Sequence, residues 1–382
     1  MQATHMPPSA ASVRTAAIPS LDGIRAVAVG LVFLAHSGLE NVVPGGLGVT
    51  IFFVLSGYLI TTLMRMEFSS TATFSYRRFY LRRFLRLMPP LVVVVIATGL
   101  LAAGGVIGGE FSHGGLPAVL FYYGNYFVIA HDFDGVPAGL GVVWSLAVEE
   151  HYYLLFPPLA VLLLRIGHRG LAAATLLALC MLVLGWRCWL VMHGVAEEYV
   201  TMATDTRVDA ILSGCLLALW RNPWLEPPAP RSNARREVML IVAALSALLF
   251  ALVYRDDFFR HTWRYSLQSA AVAVLIYFAV ARAALPPFRW LNTRPMIWIG
   301  TLSYTIYLSH HVILLAVNRH WPQLGGLWAT VLAVALTLGF AEPMRRLVEE
   351  PCARLRRRLH RPTVARTATA HPIAQTTPTG AL

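Results

Sequence analysis

The sequence predicts an all-α polytopic membrane protein, with about ten transmembrane helices and a basic amphipathic helix at the inner surface. Of the 382 residues, 57% are hydrophobic and only 13% are charged, and the mean hydropathy is +0.60. Apolar runs long enough to cross a bilayer recur along the chain. All 31 basic residues are arginines, and the formal net charge is +12. These arginines lie between the apolar runs, which is typical of membrane topology rather than of nucleic-acid binding.

Ten apolar runs are predicted as spans: 21–39, 47–66, 88–108, 142–164, 171–192, 205–220, 238–254, 265–284, 296–317 and 324–345. They form one membrane domain over residues 19–355. Residues 1–18 are expected to be a disordered tail without the apolar core of a signal peptide. Residues 356–382 are expected to be basic and then disordered.

Two segments outside the spans carry their own patterns. The segment 74–88 alternates aromatic residues with arginines, which predicts the basic amphipathic helix. The long connector 109–141 contains an apolar, aromatic piece from Leu116 to Ile129, which predicts a re-entrant or interfacial helix.

Arginine placement predicts the orientation of the chain. If both termini are cytoplasmic, the inside loops hold most of the arginines, and the outside loops hold most of the loop acids. The four cysteines, Cys180, Cys188, Cys215 and Cys352, form no CxxC pair, so neither a disulfide framework nor a metal site is expected. The absence of lysine excludes Schiff-base chemistry.

The first span carries charges on one face. Arg25 and His36 are eleven positions apart, about three helical turns or roughly 16 Å, so they fall on nearly the same side, together with Asp22. Ionisable groups at membrane depth cost roughly 2.5 kcal/mol or more each, and they usually mark function. Asp22 is expected to pair with Arg25 three residues on or to cap the helix.

Polar residues of several spans are predicted to meet at two levels. Expected in the outer half are His36, Glu149, Asp209 and His310. Expected nearer the cytoplasm are Arg25, Arg83 and Arg86. Guanidinium groups bind phosphates bidentately, and a histidine oriented by a carboxylate can act as a general base towards a hydroxyl. This pattern indicates a phosphorylated donor from the cytoplasm and a hydroxyl acceptor that meet at His36, with Glu149 as the candidate orienting carboxylate.

At these residues the chain resembles the acyltransferase-3 family of membrane O-acyltransferases. Six motifs follow one another in the family's order between residues 19 and 355: Arg25-x10-His36, Gly48–Ile60 with Ser56-Gly57-Tyr58, Arg82-Arg83-Phe-Leu-Arg86, Trp144–Glu150, Tyr307–His310 and Val348–Pro351. Two positions depart from the pattern: Thr50 stands where the family often has aspartate, and Ser309 replaces a usual aromatic residue. The resemblance is to the stand-alone type, without an appended hydrolase-like domain.

The resemblance implies transfer of an acyl group, most often acetyl, from acyl-CoA to a hydroxyl of a saccharide-containing acceptor. That acceptor would be a surface glycan, a lipid-linked sugar or a glycosylated small molecule such as a macrolide. His36 would be the catalytic histidine, and Arg25, Arg83 and Arg86 would bind or position the donor. Acyl-CoA, acetyl-CoA above all, is expected as a substrate, and no bound cofactor or metal is expected. The family also implies a bacterial inner membrane, with membrane lipids as further partners and no nucleic acid.

Structural roles compete with these assignments. Arg25 could snorkel to the inner surface, and Arg83 and Arg86 could contact anionic lipid. The residues that either line the site or hold helices together are Ser56, Asn125, Trp144, Glu150, Arg207, Asp209 and His310. The alternative functions are a transporter that uses the buried Arg, His and Glu groups as a proton or anion relay, and a structural or sensory membrane protein.

Overall fold

Helices connected by loops, with no strand, make up the part of the chain that the computed structural model describes, residues 18–228 and 233–358. The predicted all-α class is therefore confirmed. The helices, in chain order, are α1 (Leu21–Leu34), α2 (Gly45–Thr71), α3 (Tyr76–Ala103), α4 (Gly115–Leu120), α5 (Gly124–Ala130), α6 (Trp144–Ile166), α7 (Arg169–Met192), α8 (Glu197–Met202), α9 (Thr204–Trp220), α10 (Ala234–Val253), α11 (Asp257–His261), α12 (Trp263–Ala281), α13 (Pro286–Arg289), α14 (Arg294–His320), α15 (Gly325–Met344) and α16 (Glu350–Arg358).

Nine stretches of the described chain are long and apolar enough to cross a membrane. They are Leu21–Leu39, α2, α3, Leu140–Ile166, α7, α10, α12, α14 and Pro322–Arg358. The tenth predicted span, 205–220, is the helix α9, whose 17 residues rise about 26 Å. The two predicted tails lie almost wholly outside the described residues, although α16 continues to Arg358.

The predicted boundary between the basic segment and the third span is wrong. Residues 74–88 do not form a separate inner-surface helix, because α3 runs without interruption from Tyr76 to Ala103 and ends before residue 108. The Ser75 side chain accepts a hydrogen bond from the backbone N–H of Arg78 and so caps the helix where the basic segment begins. Pro89 and Pro90 lie inside the helix without ending it. The arginines are therefore held on the same rigid helix that crosses the membrane.

The predicted helix within the connector 109–141 is divided into two short helices, α4 and α5. The break includes Tyr122, whose φ of 59° is unusual for a residue with a side chain. At the end of the connector, Gly139 has a φ of 87°, and a Cβ there would lie 2.7 Å from the backbone nitrogen of Val312. Only glycine lets the connector approach α14 this closely before the chain enters α6.

A crossing between α2 and α9 forms the middle of the bundle. A Cβ on Gly57 would lie 1.9 Å from the carbonyl oxygen of Ile211, and a Cβ on Gly214 would lie 2.0 Å from that of Val54. The two glycines let the two backbones touch, as small residues do between membrane helices. The neighbouring Ser56 and Tyr58 are thereby fixed in position, and the Tyr58 hydroxyl donates to Asn222 at 3.1 Å.

A buried ion pair joins α7, α9 and α12. Arg187 and Asp209 are bonded through both guanidinium amino groups at 3.1 and 3.2 Å, and their side chains are 0% and 2% exposed. Ser266 donates to the same carboxylate at 2.6 Å, and Arg187 also donates to the carbonyl groups of Thr206 and Thr262. The sequence analysis left open whether Asp209 lines the site or holds helices together, and in the structure it belongs to this network between helices.

Candidate active site

Four cavities follow one another through the bundle, and each shares lining residues with the next. The rim cavity, about 410 Å³, and the entrance cavity, about 260 Å³, share Arg82 and Arg356. The entrance cavity and the central cavity, about 80 Å³, share Arg83 and Arg86. The central cavity and the histidine cavity, about 600 Å³, share Val49 and Tyr307. The series thus connects a surface rich in arginine with His36.

His36 lies at the end of α1, in a wide turn over Ala35–Leu39, and its ring lines the histidine cavity. Its Nδ1 atom is 2.9 Å from the carbonyl oxygen of Val32 and 3.3 Å from Nε2 of His310. The His311 ring lies 4.5 Å from the His36 ring, centroid to centroid. His36 is exposed to the cavity, whereas His310 is fully buried.

These contacts select one tautomer of His36. The Nδ1–H group of His310 donates to the carbonyl of Tyr307 at 2.8 Å, which leaves Nε2 of His310 as an acceptor. The Nδ1–H group of His36 can then be shared between the Val32 carbonyl and His310. In neutral His36 the lone pair therefore lies on Nε2, the ring nitrogen that a general base requires to be free.

The central cavity gathers the predicted donor-binding arginines. Arg25, Arg83 and Arg86 all line it. Arg25 donates to Asp22 at 2.6 Å, which confirms the predicted pairing three residues apart. Arg83 and Arg86 are three residues apart on α3 and share a face, and the Arg83 guanidinium lies 4.6 Å from the ring centroid of Tyr153. Three cationic side chains around one small cavity favour an anionic ligand.

Glu149 lies with the arginines and not with His36. It lines the central cavity, and its carboxylate accepts a hydrogen bond of 2.9 Å from the Tyr153 hydroxyl. The expectation that Glu149 stands beside His36 at the outer level is therefore wrong. The residue that contacts His36 is His310, which the sequence analysis placed at the same level. The helix α6 reaches the central cavity with Glu149, while its first residue, Trp144, lines the histidine cavity.

A hydrogen-bonded wall separates the central cavity from the histidine cavity. The Tyr307 hydroxyl donates to the carbonyl of Val142 at 2.9 Å and lies 2.6 Å from the Ser145 hydroxyl. Val49 completes the shared lining. Neither Val49 nor Tyr307 carries a charge, so the wall between the two cavities is neutral.

Arg207 lies behind the histidine cavity and is almost fully buried. Its guanidinium lies 4.0 Å from the ring centroid of Tyr265 and 5.7 Å from that of Trp144, and it donates to the Thr201 carbonyl at 2.8 Å. It also reaches the hydroxyl of Thr50 at 3.4 Å, whereas its Nε–H has no partner in the described chain. An aspartate at position 50 would give Arg207 a charged partner. With threonine there, Arg207 is contacted by aromatic rings, by the Thr201 carbonyl oxygen and by the Thr50 hydroxyl.

Of the remaining predicted site residues, two line a cavity and two do not. Ser56 lines the central cavity, and Trp144 lines the histidine cavity. Asn125 is fully buried and donates to Thr204 at 3.1 Å, so it joins the connector to α9. Glu150 is not among the residues that line either cavity, and one of its carboxylate oxygens is buried without a hydrogen bond in the described chain.

The aromatic connector approaches Glu150 through Tyr122. Burial raises the pKa of the Tyr122 hydroxyl, and the nearby Glu150 carboxylate adds to the effect. Tyr122 therefore remains protonated at neutral pH, as a donor near that carboxylate.

Several residues of the site were missed by the sequence analysis. Arg187 stands inside an apolar span, and its charge at membrane depth was the signal that could have flagged it. Arg356 belongs to a run of arginines that suggested topology only. Tyr265 and His311 carried no signal, since tyrosines and histidines near span ends are common. No group of three or more His, Cys, Asp or Glu side chains in residues 18–228 and 233–358 is arranged to hold a metal ion.

Fold and site together define a class: an integral-membrane protein with a histidine in one cavity and an arginine-lined cavity beside it. The chain belongs to the acyltransferase-3 family, since the family model described as an acyltransferase domain matches residues 18–342.

Three relatives are similar to the chain. The peptidoglycan O-acetyltransferase OatA of Listeria monocytogenes is 33% identical over 356 residues, which is 87% of this chain and 55% of the relative. A putative O-acetyltransferase of Staphylococcus aureus is 30% identical over 356 residues, 87% of this chain and 57% of the relative. The putative peptidoglycan O-acetyltransferase YrhL of Bacillus subtilis is 31% identical over 350 residues, 87% and 54%. The chain spans about half the length of the curated relatives it matches. No solved structure matches it.

Proposed function

We propose that this protein transfers an acyl group, acetyl above all, from acyl-CoA to a hydroxyl of a saccharide-containing acceptor. The observation that carries the proposal is the series of adjoining cavities from the arginines to the exposed ring of His36. Arg25, Arg83 and Arg86 bind the phosphate groups of the donor, because a guanidinium fork suits phosphate oxygens. The acyl end of the donor then extends towards the histidine cavity.

The proposed reaction is a direct transfer. The acceptor hydroxyl gives its proton to Nε2 of His36 as its oxygen bonds to the thioester carbonyl carbon. The carbon–sulfur bond then breaks, and the proton on His36 passes to the departing thiolate, so His36 is restored. General acid–base catalysis of this kind typically contributes about 10²–10⁴-fold in rate. His310 and the Val32 carbonyl keep the His36 proton on Nδ1 and so act as positioning groups.

The histidine cavity supports a saccharide as the acceptor. Its volume of about 600 Å³ falls in the range of small-molecule sites. The lining combines the aromatic rings of Trp144 and Tyr265, which offer flat apolar faces, with polar groups such as Gln268 and Asn41, which can bond to hydroxyls. Two of the similar proteins, OatA and YrhL, carry names that refer to peptidoglycan, which contains saccharide units.

The orientation follows from the same arrangement. The arginine-rich end, with Arg82, Arg83, Arg86 and Arg356, is placed in the cytoplasm, where acyl-CoA is made, and the histidine cavity opens to the outer face of a bacterial inner membrane. This agrees with the general bias of arginine towards cytoplasmic loops.

A comparison of His36→Ala with a matched histidine variant tests the proposal. His193 is exposed and bonds only to the carbonyl of Trp189 within its own helix, so His193→Ala makes the same chemical change away from both cavities. Membranes with equal amounts of each protein are given labelled acetyl-CoA and a saccharide acceptor, and base-labile label on the acceptor is counted. His36→Ala is expected to lose at least about 100-fold in rate, and His193→Ala is expected to keep the wild-type rate.

The same experiment separates the transporter alternative. A transporter with a buried relay moves a solute without forming an ester, so no variant would show acceptor label above that of membranes without the protein. Equal label with wild-type protein and His36→Ala would contradict the assigned role of His36.

A further inference from the structure

The rim cavity is lined by several arginines and by no acidic residue that could balance their charge. Four arginines line it, Arg77, Arg78, Arg82 and Arg356, together with Ser75. The entrance cavity is also lined by four: Arg82, Arg83, Arg86 and Arg356. Neither lining includes an acidic residue. Like charges held this close repel one another unless an anion lies between them.

Glu67, the ion-pair partner of Arg82, balances little of the charge in these linings. Glu67 accepts from one amino group of Arg82 at 3.0 Å, but the other, Nη1, is buried and has no hydrogen-bond partner in the described chain. Arg356, likewise, makes neither a hydrogen bond nor an ion pair with any described residue. The two arginines that both cavities share therefore have donor groups to spare for a ligand.

Arg356 comes from a different part of the chain than the other arginines. It lies on α16, which packs against α3. The arginines around it on α16, Arg354, Arg357 and Arg358, are exposed, whereas Arg356 is half-buried and turned towards the cavities. The base of α16 is fixed, because Arg345 is paired with both Glu342 and Glu350. The last helix thus presents one arginine to a site otherwise built by α3.

We infer that the rim cavity binds a second phosphate group of the donor, separate from the phosphates held by Arg83 and Arg86, and that Arg356 closes this subsite. The inference rests on the proposed function. The donor class that fits is a nucleoside that carries a monophosphate on its ribose and a diphosphate on its 5′ carbon, since two adjoining arginine cavities require two anionic groups on one molecule. The volume of the rim cavity, about 410 Å³, leaves room for part of the nucleoside as well.

A pair of ligands that differ in one phosphate tests this directly. Coenzyme A and 3′-dephospho-coenzyme A are titrated against labelled acetyl-CoA bound to the full chain in nanodiscs of phosphatidylcholine. Wild-type protein is expected to bind coenzyme A at least about tenfold more tightly, as charge-assisted hydrogen bonds to one phosphate provide. The Arg356→Ala variant is expected to bind the two ligands with nearly equal affinity. This change is expected to come from weaker binding of coenzyme A, while the affinity for 3′-dephospho-coenzyme A stays the same. The matched control Arg357→Ala, on the same helix but exposed, is expected to keep the preference.

The outcomes separate this inference from the proposed function. Equal binding of the two ligands by wild-type protein would overturn the rim subsite and leave the donor class intact. Equal weakening of both ligands by Arg356→Ala would overturn the role of Arg356. If acetyl-CoA does not bind to the wild-type protein at all, the proposed function itself fails. The titration is repeated in nanodiscs with phosphatidylglycerol, where loss of the preference would assign the rim cavity to a lipid headgroup and overturn the proposal.

Discussion

His310 provides the sharpest test of how the site orients His36. His310→Phe keeps an aromatic ring of similar size between Phe33 and Tyr307, but it removes the acceptor that faces Nδ1 of His36. A neutral hydrogen bond contributes about 0.5–1.5 kcal/mol, and one to a charged group contributes about twice as much. His36 becomes cationic during the proposed transfer, while the 3.3 Å separation is long and the Val32 carbonyl remains. The expected loss is therefore about 1–2 kcal/mol of barrier, or about 5- to 30-fold in kcat.

The assay is steady-state transfer of labelled acetyl groups, with kcat and KM measured separately for donor and acceptor. KM for both substrates is expected to be unchanged, because His310 is fully buried and is not among the residues that line the histidine cavity. His310→Gln, which can place a carbonyl oxygen near Nδ1, is expected to recover part of kcat. Unchanged kcat in a folded His310→Phe protein would refute the reasoning, and so would a glutamine variant no better than phenylalanine.

Three further predictions concern the packing around the site. Asp209→Ala leaves the Arg187 charge buried and unpaired, so the thermal midpoint in detergent is expected to fall by the equivalent of about 3–5 kcal/mol. The double variant with Arg187→Met and Asp209→Leu is expected to recover most of this loss. A loss below about 1 kcal/mol for Asp209→Ala would contradict the prediction. Gly57→Leu forces apart the backbones of α2 and α9, which touch at this position, so size-exclusion chromatography is expected to show aggregated protein. A monodisperse peak would contradict the close contact between the two helices. Thr50→Asp gives Arg207 a carboxylate partner and is expected to raise the thermal midpoint. Thr50→Val removes an acceptor and is expected to lower the midpoint by the equivalent of about 1 kcal/mol. Equal midpoints for the two variants would show that the contact between Arg207 and residue 50 does not contribute to stability.

Helical periodicity was sufficient to predict what lies on one helix. The spacing of Arg25 and His36 placed them about three turns apart, and in the structure they line two adjoining cavities. The pairing of Asp22 with Arg25 followed from the same rule. Arg83 and Arg86, three residues apart, likewise share a face and a cavity.

Contacts between helices could not be predicted in the same way, because depth in the membrane does not determine the rotation of a helix about its axis. Glu149 and His310 were both expected near His36. Rotation of α14 brings His310 to that ring, whereas Glu149 on α6 faces the arginines. Each residue turns the helix by about 100°, so a small error in rotation or depth exchanges one partner for another.

The merged helix α3 was missed for a different reason. The change from basic to apolar composition indicated two elements that meet at residue 88. In the structure the helix continues through the prolines. Pro89 and Pro90 leave the carbonyls of Leu85 and Arg86 without their helical donors, as membrane helices tolerate within a bundle. Beside these carbonyls a neighbouring helix is bonded to α3, because the Tyr304 hydroxyl donates to the carbonyl of Leu87 at 2.8 Å. That hydrogen bond comes from α14, more than two hundred residues away, so local sequence could not indicate it.

The distribution of charge along the four cavities bears on how a transfer could cross the membrane. Arginines line all four cavities, but none lines the wall at Val49 and Tyr307. Moving a phosphate across such a neutral wall would cost far more than moving an uncharged chain, because a charge loses its solvation and a thioester arm does not. In the proposed reaction the anionic head of the donor therefore stays with the arginines while only its neutral arm passes Tyr307. The hydroxyl groups of Tyr307 and Ser145, already bonded to each other, are the polar groups that this arm would meet on its way to His36.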